Sequence, residues 1–305
     1  MKTPSYRTVL DEIVQRAKER VAADKSRVPI NELQRRIADA PPVVSFLRSL
    51  KSGFGLIAEI KKRSPSQGPM RNQGVAEITR IYHDHPVVKA ISMLTNRDDF
   101  AMEIGDLWAA RNVTTKPILR KDFIFDEYQV YEARAYGADA ILLMASVVTD
   151  PTQMRRLFEL SQSLGMDVLF ECRSQAEIEA IPAAAQIFGI NSRKLRARTV
   201  LGVNRYVISR VLRHLHIADR SVEPNSFDLV RHIPRPAIKV AESGLSPHEI
   251  APVRDHYGYN AALVGTAILN AQEGVEHALN AFSSALQRRS LEVPASERDR
   301  HGLAV

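Results

Sequence analysis

The sequence lacks most features of a secreted or membrane protein. It has a single cysteine, Cys172, which excludes an internal disulfide, and no Cys/His cluster with zinc spacing accompanies it. The opening stretch "MKTPSYRTVLDEIV" has no apolar h-region, and no uncharged apolar run reaches the roughly eighteen residues of a membrane span. We therefore expect a cytoplasmic protein without a metal site.

Composition and charge narrow the class further. The 305 residues are 45% apolar and 25% charged, which is typical of a soluble globular protein and excludes disorder for most of the chain. The formal net charge of +7 permits a nucleic-acid partner, a phosphorylated small substrate, or no specific partner. The location of the charge has to decide between these alternatives.

Short β-branched or Leu-rich runs recur along the chain, each followed by a longer segment of helical periodicity. This alternation predicts repeated βα units and a parallel sheet. Eight such runs occur, at residues 56 to 61, 88 to 94, 116 to 121, 138 to 144, 167 to 171, 186 to 191, 237 to 242 and 260 to 265.

The eight units favour a closed (β/α)8 TIM barrel over a doubly wound sheet. No Gly-x-Gly-x-x-Gly follows the first run, so the dinucleotide-binding alternative lacks its phosphate loop. The segments "DEYQVYEARAYG" and "PTQMRRLFELSQSLG" have apolar residues at helical spacing and end at Gly137 and Gly165, as helix C-caps often do. We interpret them as helices that cover the barrel.

Segments outside the eight units define the remaining organisation. An amphipathic helix, "SYRTVLDEIVQRAKERVAADK", precedes the first strand, and the last stretch loses all periodicity. We predict an N-terminal helical extension over residues 1–55, a catalytic barrel over 56–289 and a flexible tail over 290–305.

Polar residues close several of the predicted strands. Chemistry in such barrels lies at the C-terminal ends of the strands, so these residues are candidate site residues. Glu59 and Lys61 are two residues apart and therefore point to the same side of their strand. The other candidates of this kind are Lys121, Glu171, Asn191, Glu242 and Ser243.

Two interpretations of these charged residues remain open. Lysines and carboxylates in one partly desolvated cup tune each other's pKa for proton transfer. Each residue taken alone could instead belong to a structural ion pair. Their convergence on several strand ends favours the catalytic interpretation.

Glycines and hydroxyls follow the last two predicted strands, in "AESGLS" and "LVGTAIL". Barrels commonly bind phosphate at this position, through backbone N–H groups and helix N-termini. Glycines in such turns can also serve only to form the turn. The pair of loops together predicts a phosphorylated substrate.

Four motifs together resemble one known family. "LIAEIKKRSPSQG", "KPILRKDFIFDEYQVYEARAYGADAILL", "GINSRKL" and "KVAESGLSPHEI" are similar to segments of the indole-3-glycerol-phosphate synthases of tryptophan biosynthesis. The resemblance implies a lyase that closes the indole ring of 1-(2-carboxyphenylamino)-1-deoxyribulose 5-phosphate with loss of carbon dioxide and water. It implies no cofactor and no metal.

The resemblance also implies roles for individual residues. Lys121 is similar to the general acid of ring closure, Lys61 to a lysine that contacts the substrate carboxylate and assists dehydration, and Glu171 to the carboxylate that stabilises the cationic intermediate or takes the proton, with Glu59 supporting it. Further expected substrate contacts are Asn191, Arg193, Glu242 and Ser243, with phosphate contacts at Ser64, Gly244, Gly265 and Thr266. Phe123 and Phe100 either pack on the aromatic ring of the substrate or belong to the core.

The chain departs from the family pattern in two places. After Leu94 and Thr95 it keeps Phe100 but continues with Ala101-Met102, where the family usually has a glycine. The second departure is a 51-residue spacing between the sixth and seventh strands, where residues 193–216, counted inclusively, contain seven Arg/Lys and no acidic residue. This basic insertion is interpreted as a packed extra helix, a helix that closes over the mouth, or a partner surface.

Three functions remain open at this point. The first is the synthase, acting as a monomer or homodimer on a small phosphorylated substrate. The second is a specialised paralogue acting on a related phosphorylated aromatic amine. The third is a non-catalytic binding protein that uses the basic insertion. Nucleic acid is disfavoured as a partner because Tyr206 is the single aromatic residue of that segment.

Overall fold

The computed structural model describes residues 9–64, 68–70, 74–192 and 224–287. Within these ranges eight parallel strands close into a barrel in sequential order. They are β1 (Gly55–Ile60), β2 (Val88–Leu94), β3 (Ile118–Lys121), β4 (Ala140–Met144), β5 (Asp167–Cys172), β6 (Ile187–Asn191), β7 (Ile238–Glu242) and β8 (Ala261–Val264). Strand β1 pairs with both β2 and β8, which closes the barrel. The predicted (β/α)8 fold is confirmed.

Helices alternate with the strands in the described ranges. They are α1 (Val9–Arg27), α2 (Ile30–Asp39), α3 (Phe46–Lys51), α4 (Val75–Asp84), α5 (Arg97–Phe100), α6 (Gly105–Arg111), α7 (Glu127–Ala135), α8 (Pro151–Ser163), α9 (Gln175–Glu179), α10 (Pro247–Asp255), α11 (Thr266–Leu269) and α12 (Val275–Gln287), with a 3-10 helix at Pro224–His232. In the same ranges, none combines the length and apolar composition needed to cross a bilayer.

Local sequence explains where the covering helices begin and end. The side chain of Asp126 accepts a hydrogen bond from the backbone N–H of Tyr128, and Gln129 completes a capping box at the start of α7. The helix is followed by Gly137 at φ 86°, and α8 by Gly165 at φ 79°, a left-handed conformation that glycine adopts without steric cost. The two predicted C-caps are confirmed.

The interior of the barrel forms one apolar cluster. Inward-facing side chains such as Leu119 and Leu169 pack with Phe46 and Leu50 of α3 at the N-terminal ends of the strands. Other members of the same cluster, Ile13 and Ala17 of α1 together with Phe123 and Met144, lie toward the C-terminal ends. The predicted N-terminal helix therefore contributes its apolar face to the barrel's own core.

Some of the expectations fall outside the described residues. The basic insertion around residues 196–222 and the tail at 290–305 lie there, as does Arg193. The division of the chain into an extension, a barrel and a tail stays a prediction.

Candidate active site

Glu59 pairs with two lysines at the C-terminal ends of the strands. It is the fifth of six residues in β1, and its side chain is buried. Lys61 follows the strand on the same side and donates to Oε1 of Glu59 at 2.5 Å, while Nζ of Lys121 lies 3.5 Å from Oε2. Each carboxylate oxygen of Glu59 therefore faces one lysine.

This arrangement sets the protonation of Glu59 and Lys121. Burial alone raises the pKa of Glu59, but the charges of Lys61 and Lys121 outweigh it and lower the pKa to about 2. Burial in turn lowers the pKa of Lys121, and the carboxylates of Glu59, Glu171 and Glu242 more than compensate, so that its pKa is raised. Lys121 is therefore held as the cation, the form a proton donor needs.

A second charged group lies at the ends of β5 and β6. Glu171 is 2% exposed, and its Oε1 accepts hydrogen bonds from Nδ2 of Asn191 at 2.9 Å and from Nη2 of Arg173 at 3.1 Å. Because Lys121 interacts electrostatically with both Glu59 and Glu171, it connects the two groups into one site.

Glu242, at the end of β7, is the least compensated carboxylate of this mouth. It is 1% exposed, and its Oε1 has no hydrogen-bond partner among the described residues. Burial, followed by repulsion from Glu171, raises its pKa to about 8, although Lys121 opposes the shift. Near neutral pH this side chain is therefore mostly the neutral acid, which can donate a proton or a hydrogen bond.

Two glycines make room for the carboxylates. A Cβ at Gly189 of β6 would overlap Oε1 of Glu242, and a Cβ at Gly265, directly after β8, would overlap Oε1 of Glu59. Only glycine fits at both positions without displacing a carboxylate. Gly265 was expected from the sequence as a phosphate contact, and the structure adds this steric reason for it.

The residues expected at the phosphate lie after three strands that are neighbours in the barrel, β7, β8 and β1. After β7, Gly244 has φ 71° and follows Ser243, the expected substrate contact, at φ 73°. Thr266 begins α11 after β8. Ser64 is buried in a two-residue strand beyond β1 that pairs with Gly68–Pro69. The three loops therefore border the same sector of the mouth.

The two expected ring contacts follow the next strands around the barrel, Phe100 after β2 and Phe123 after β3. Phe123 is buried and Phe100 half-buried, and both belong to the cluster that contains Ile13 and Ala17. The departure after Phe100 has a structural consequence: Ala101 adopts a left-handed conformation at φ 55°. Met102 is fully buried in the outer core.

Behind Lys121 lies a buried network that the sequence analysis did not find. Asp122 is 2% exposed and accepts hydrogen bonds from Arg20, Arg120 and Thr95. Burial raises its pKa, but the two arginines dominate and lower it. Arg20 comes from α1, so this network ties the N-terminal helix to the strand end that carries Lys121.

Arg173 is the other residue that sequence reasoning missed. It stands two positions after Glu171, and the alternation that paired Glu59 with Lys61 could have found it. Arg20 carried no comparable signal, because it lies 102 residues from Asp122 in the chain.

The comparisons with known proteins agree with this fold. The family model of indole-3-glycerol phosphate synthase matches residues 10–205. The protein of that name from Mycolicibacterium smegmatis is 34% identical over 270 residues, covering 88% of this chain and 91% of its own. The one from Caldanaerobacter subterraneus is 34% identical over 269 residues, covering 87% and 95%.

Solved structures resemble the chain in fold alone. KGPDC from Streptococcus mutans has a TM-score of 0.53 at 12% identity, covering 77% of this chain and 98% of its own. N-(5'-phosphoribosyl)anthranilate isomerase from Pyrococcus furiosus has a TM-score of 0.51 at 12% identity, with the same coverage of 77% and 98%. At such identity the likeness supports the barrel and no particular activity.

Proposed function

We infer the activity from one premise: the chain belongs to the indole-3-glycerol phosphate synthase family. We propose that it closes the indole ring of 1-(2-carboxyphenylamino)-1-deoxyribulose 5-phosphate with loss of carbon dioxide and water, a lyase reaction of tryptophan biosynthesis. The observation that carries the proposal is the position of Glu59 between Lys61 and Lys121, at 2.5 and 3.5 Å.

In the first step of the proposed reaction, Lys121 acts as the general acid. The aromatic carbon that bears the carboxylate attacks the carbonyl carbon of the ribulose chain, and the carbonyl oxygen takes a proton from Lys121. The bond to the carboxylate then breaks, its electron pair restores the aromatic ring, and carbon dioxide leaves. A raised pKa keeps Lys121 protonated before this step, and a positioned acid contributes about 10²–10⁴-fold to such a reaction.

The second step is the loss of water. The new hydroxyl group leaves after taking a proton from Lys61, and Glu171 takes a proton from the carbon next to the nitrogen. The electron pair of that C–H bond forms the double bond of the indole. Before the reaction Glu59 is ionised, because its pKa is about 2, and its two oxygens pair with Lys61 and Lys121.

The remaining residues are proposed to hold the substrate. Its phosphate fits the sector bordered by Ser64, Gly244, Gly265 and Thr266, where backbone N–H groups can face an anion. Its aromatic ring fits beside Phe100 and Phe123, while Asn191, Ser243 and Glu242 face the ribulose chain. Arg193 stays a predicted substrate contact outside the described residues. Holding both ends aligns the reacting carbons, which lowers the entropic part of the barrier.

A specialised paralogue is the second candidate, and one observation favours it. Ala101 is left-handed and Met102 is buried beside the loop that carries Phe100, so this wall of the ring pocket differs from the family pattern. Growth of a tryptophan auxotroph that lacks the synthase, restored by this chain, would exclude the paralogue.

The direct test is turnover by the purified full-length chain. We expect the carboxyphenylamino substrate to yield a product with indole fluorescence. Lys121→Met should lose about 10²-fold or more of kcat while keeping the circular dichroism spectrum of the parent. Lys25→Met is a matched control, because Lys25 pairs with Asp126 on the surface of the molecule. Absence of turnover in the parent protein would overturn the proposal, and unchanged turnover in Lys121→Met would remove Lys121 as the acid.

A further inference from the structure

Arg173 is a half-buried charge at the mouth to which the proposed reaction gives no role. It follows β5 directly, and its Nη2 lies 3.1 Å from Oε1 of Glu171. The side chain of Arg173 is 23% exposed and that of Glu171 is 2% exposed, so the pair is largely shielded from water. Surface ion pairs contribute little, whereas a pair with one fully buried member strongly constrains that member.

We propose that Arg173 is a positioning residue for Glu171. It fixes Oε1, leaves Oε2 directed at the substrate, and keeps a positive charge beside the carboxylate while Lys121 changes its charge during turnover. This inference rests on the proposed function, in which Glu171 takes a proton.

The hydrogen bonds at Glu171 support a fixed orientation. Asn191 and Arg173 both donate to the same oxygen, Oε1, at 2.9 and 3.1 Å. Within the described part of the chain, no donor contacts Oε2. One oxygen is thereby held by two donors from two strand ends, and the other keeps its lone pairs for a proton.

The placement of Arg173 is itself constrained. Its backbone N–H donates to Oε2 of Glu177 at 2.6 Å, which anchors the residue to the first turn of α9. Its Nε is buried without a partner among the described residues. A buried donor without a partner is unfavourable, and an arginine on the surface would avoid that loss by turning to water. The pairing with Glu171 therefore holds the guanidinium in place, although its Nε has lost the hydrogen bond to water.

A second cation beside Glu171 is needed because Lys121 loses its charge in the proposed reaction. The titratable groups around Glu171 are Lys121 on β3, Glu242 on β7, Arg173, and Glu177 behind on α9; Asn191 on β6 is an uncharged neighbour. When Lys121 gives up its proton, Glu171 loses a counter-charge, while Glu242 is mostly the neutral acid near neutral pH. Arginine stays charged at all relevant pH, so Arg173 is the cation that remains beside Glu171 at that moment.

The inference predicts a change in the pH profile. Arg173→Met in the full-length protein should lower kcat about 10- to 100-fold at pH 7 with KM changed less than about threefold. The acid-side midpoint of kcat should rise by about one to three pH units, the usual effect of losing an opposite charge at this distance. Arg173→Lys, which keeps the charge, should restore most of the acid-side midpoint.

Two controls separate this role from a structural one. Arg156→Met removes an exposed pair with Glu127, where the side chains are 67% and 43% exposed, and should leave the profile unchanged. Carbon-13 NMR of glutamate-labelled protein without substrate, with the Glu171 signal identified by its absence in Glu171→Gln, should show this carboxyl titrating at higher pH in Arg173→Met.

The acid limb of kcat, the titration of Glu171 and the value of KM together test the positioning role of Arg173. An unshifted acid limb together with an unshifted Glu171 titration overturns the inference. A raised KM with unchanged kcat also overturns it, because Arg173 would then bind the substrate directly. If the parent protein does not turn over the substrate, the proposed function fails, and the NMR titration alone decides whether Arg173 controls Glu171.

Discussion

Arg20 donates to both carboxylate oxygens of Asp122, at 3.1 and 2.9 Å. Asp122 is buried and stands between Lys121 and Phe123, the proposed acid and a proposed ring contact. A helix that precedes the barrel therefore holds a strand end of the mouth. One turn earlier on the same helix, Arg16 pairs with Asp99 at 2.6 Å, next to Phe100. The N-terminal helix thus braces both loops that carry the aromatic side chains.

The first prediction follows from this brace. Arg20→Ala leaves a buried carboxylate with fewer donors, so we expect a loss of about 1.5–3 kcal/mol of unfolding free energy together with a lower kcat. Urea denaturation and steady-state kinetics measure the two effects. Arg27→Ala, in the same helix, breaks an exposed pair with Asp24 and should cost less than about 1 kcal/mol. Equal effects of the two variants would contradict the bracing role.

The second prediction concerns the space that Gly189 leaves for Glu242. In Gly189→Ala the new methyl group overlaps the buried carboxylate and approaches Leu169, so the barrel must repack at a cost of about 1–3 kcal/mol. Displacement of Glu242 should also lower kcat/KM. Gly105→Ala is the control, because a Cβ there meets no atom within 4 Å. A Gly189→Ala variant with parental stability and activity would show that the carboxylate has room to move.

The third prediction is a pH dependence of stability. The carboxyl of Glu242 has an ordinary pKa of 4.5 and a folded-state pKa of about 8, so between these values the folded protein binds the extra proton. The unfolding free energy should therefore fall as the pH rises from about 5 to 8, with a contribution of up to about 1.4 kcal/mol per pH unit. Glu242→Gln should remove that contribution, as measured by urea denaturation across the range.

Glu59 contributes in a separate pH window from Glu242. Its folded-state pKa is lowered to about 2, so its contribution to stability is present above its ordinary value of 4.5 and is lost as the pH falls toward 2. Glu127→Gln, at an exposed carboxyl, should keep the parental slope between pH 5 and 8. A parental slope in Glu242→Gln as well would mean that another group causes it.

The fourth prediction concerns the strained residue beside Phe100. A left-handed conformation costs an L-residue about 1–2 kcal/mol, and Ala101 has φ 55°. Ala101→Gly should therefore raise the unfolding free energy, by about 1 kcal/mol or less after the entropy cost of glycine. Ala109→Gly, inside α6, should instead lower it by about 1 kcal/mol. Destabilisation in both variants would contradict the conformational argument.

Much of the fold was accessible from the sequence because it depends on local patterns. The observed strands lie within two residues of the predicted runs at both ends. Period-2 alternation also put Glu59 and Lys61 on one side of β1, and in the structure they form a hydrogen bond of 2.5 Å. Strand, turn and helix-cap signals need only neighbouring residues, so they can be recognised without coordinates.

The tertiary structure decided which distant residues meet. No local pattern links Arg20 to Asp122 or Gly189 to Glu242, because each contact exists only after the barrel has closed. The pKa of about 8 at Glu242 has the same origin, since burial and the nearby Glu171 arise from three-dimensional packing. By itself the sequence determined the order of the elements and the identity of most charged strand ends. Closure of the barrel determined their distances, and distance sets the strength of an electrostatic interaction.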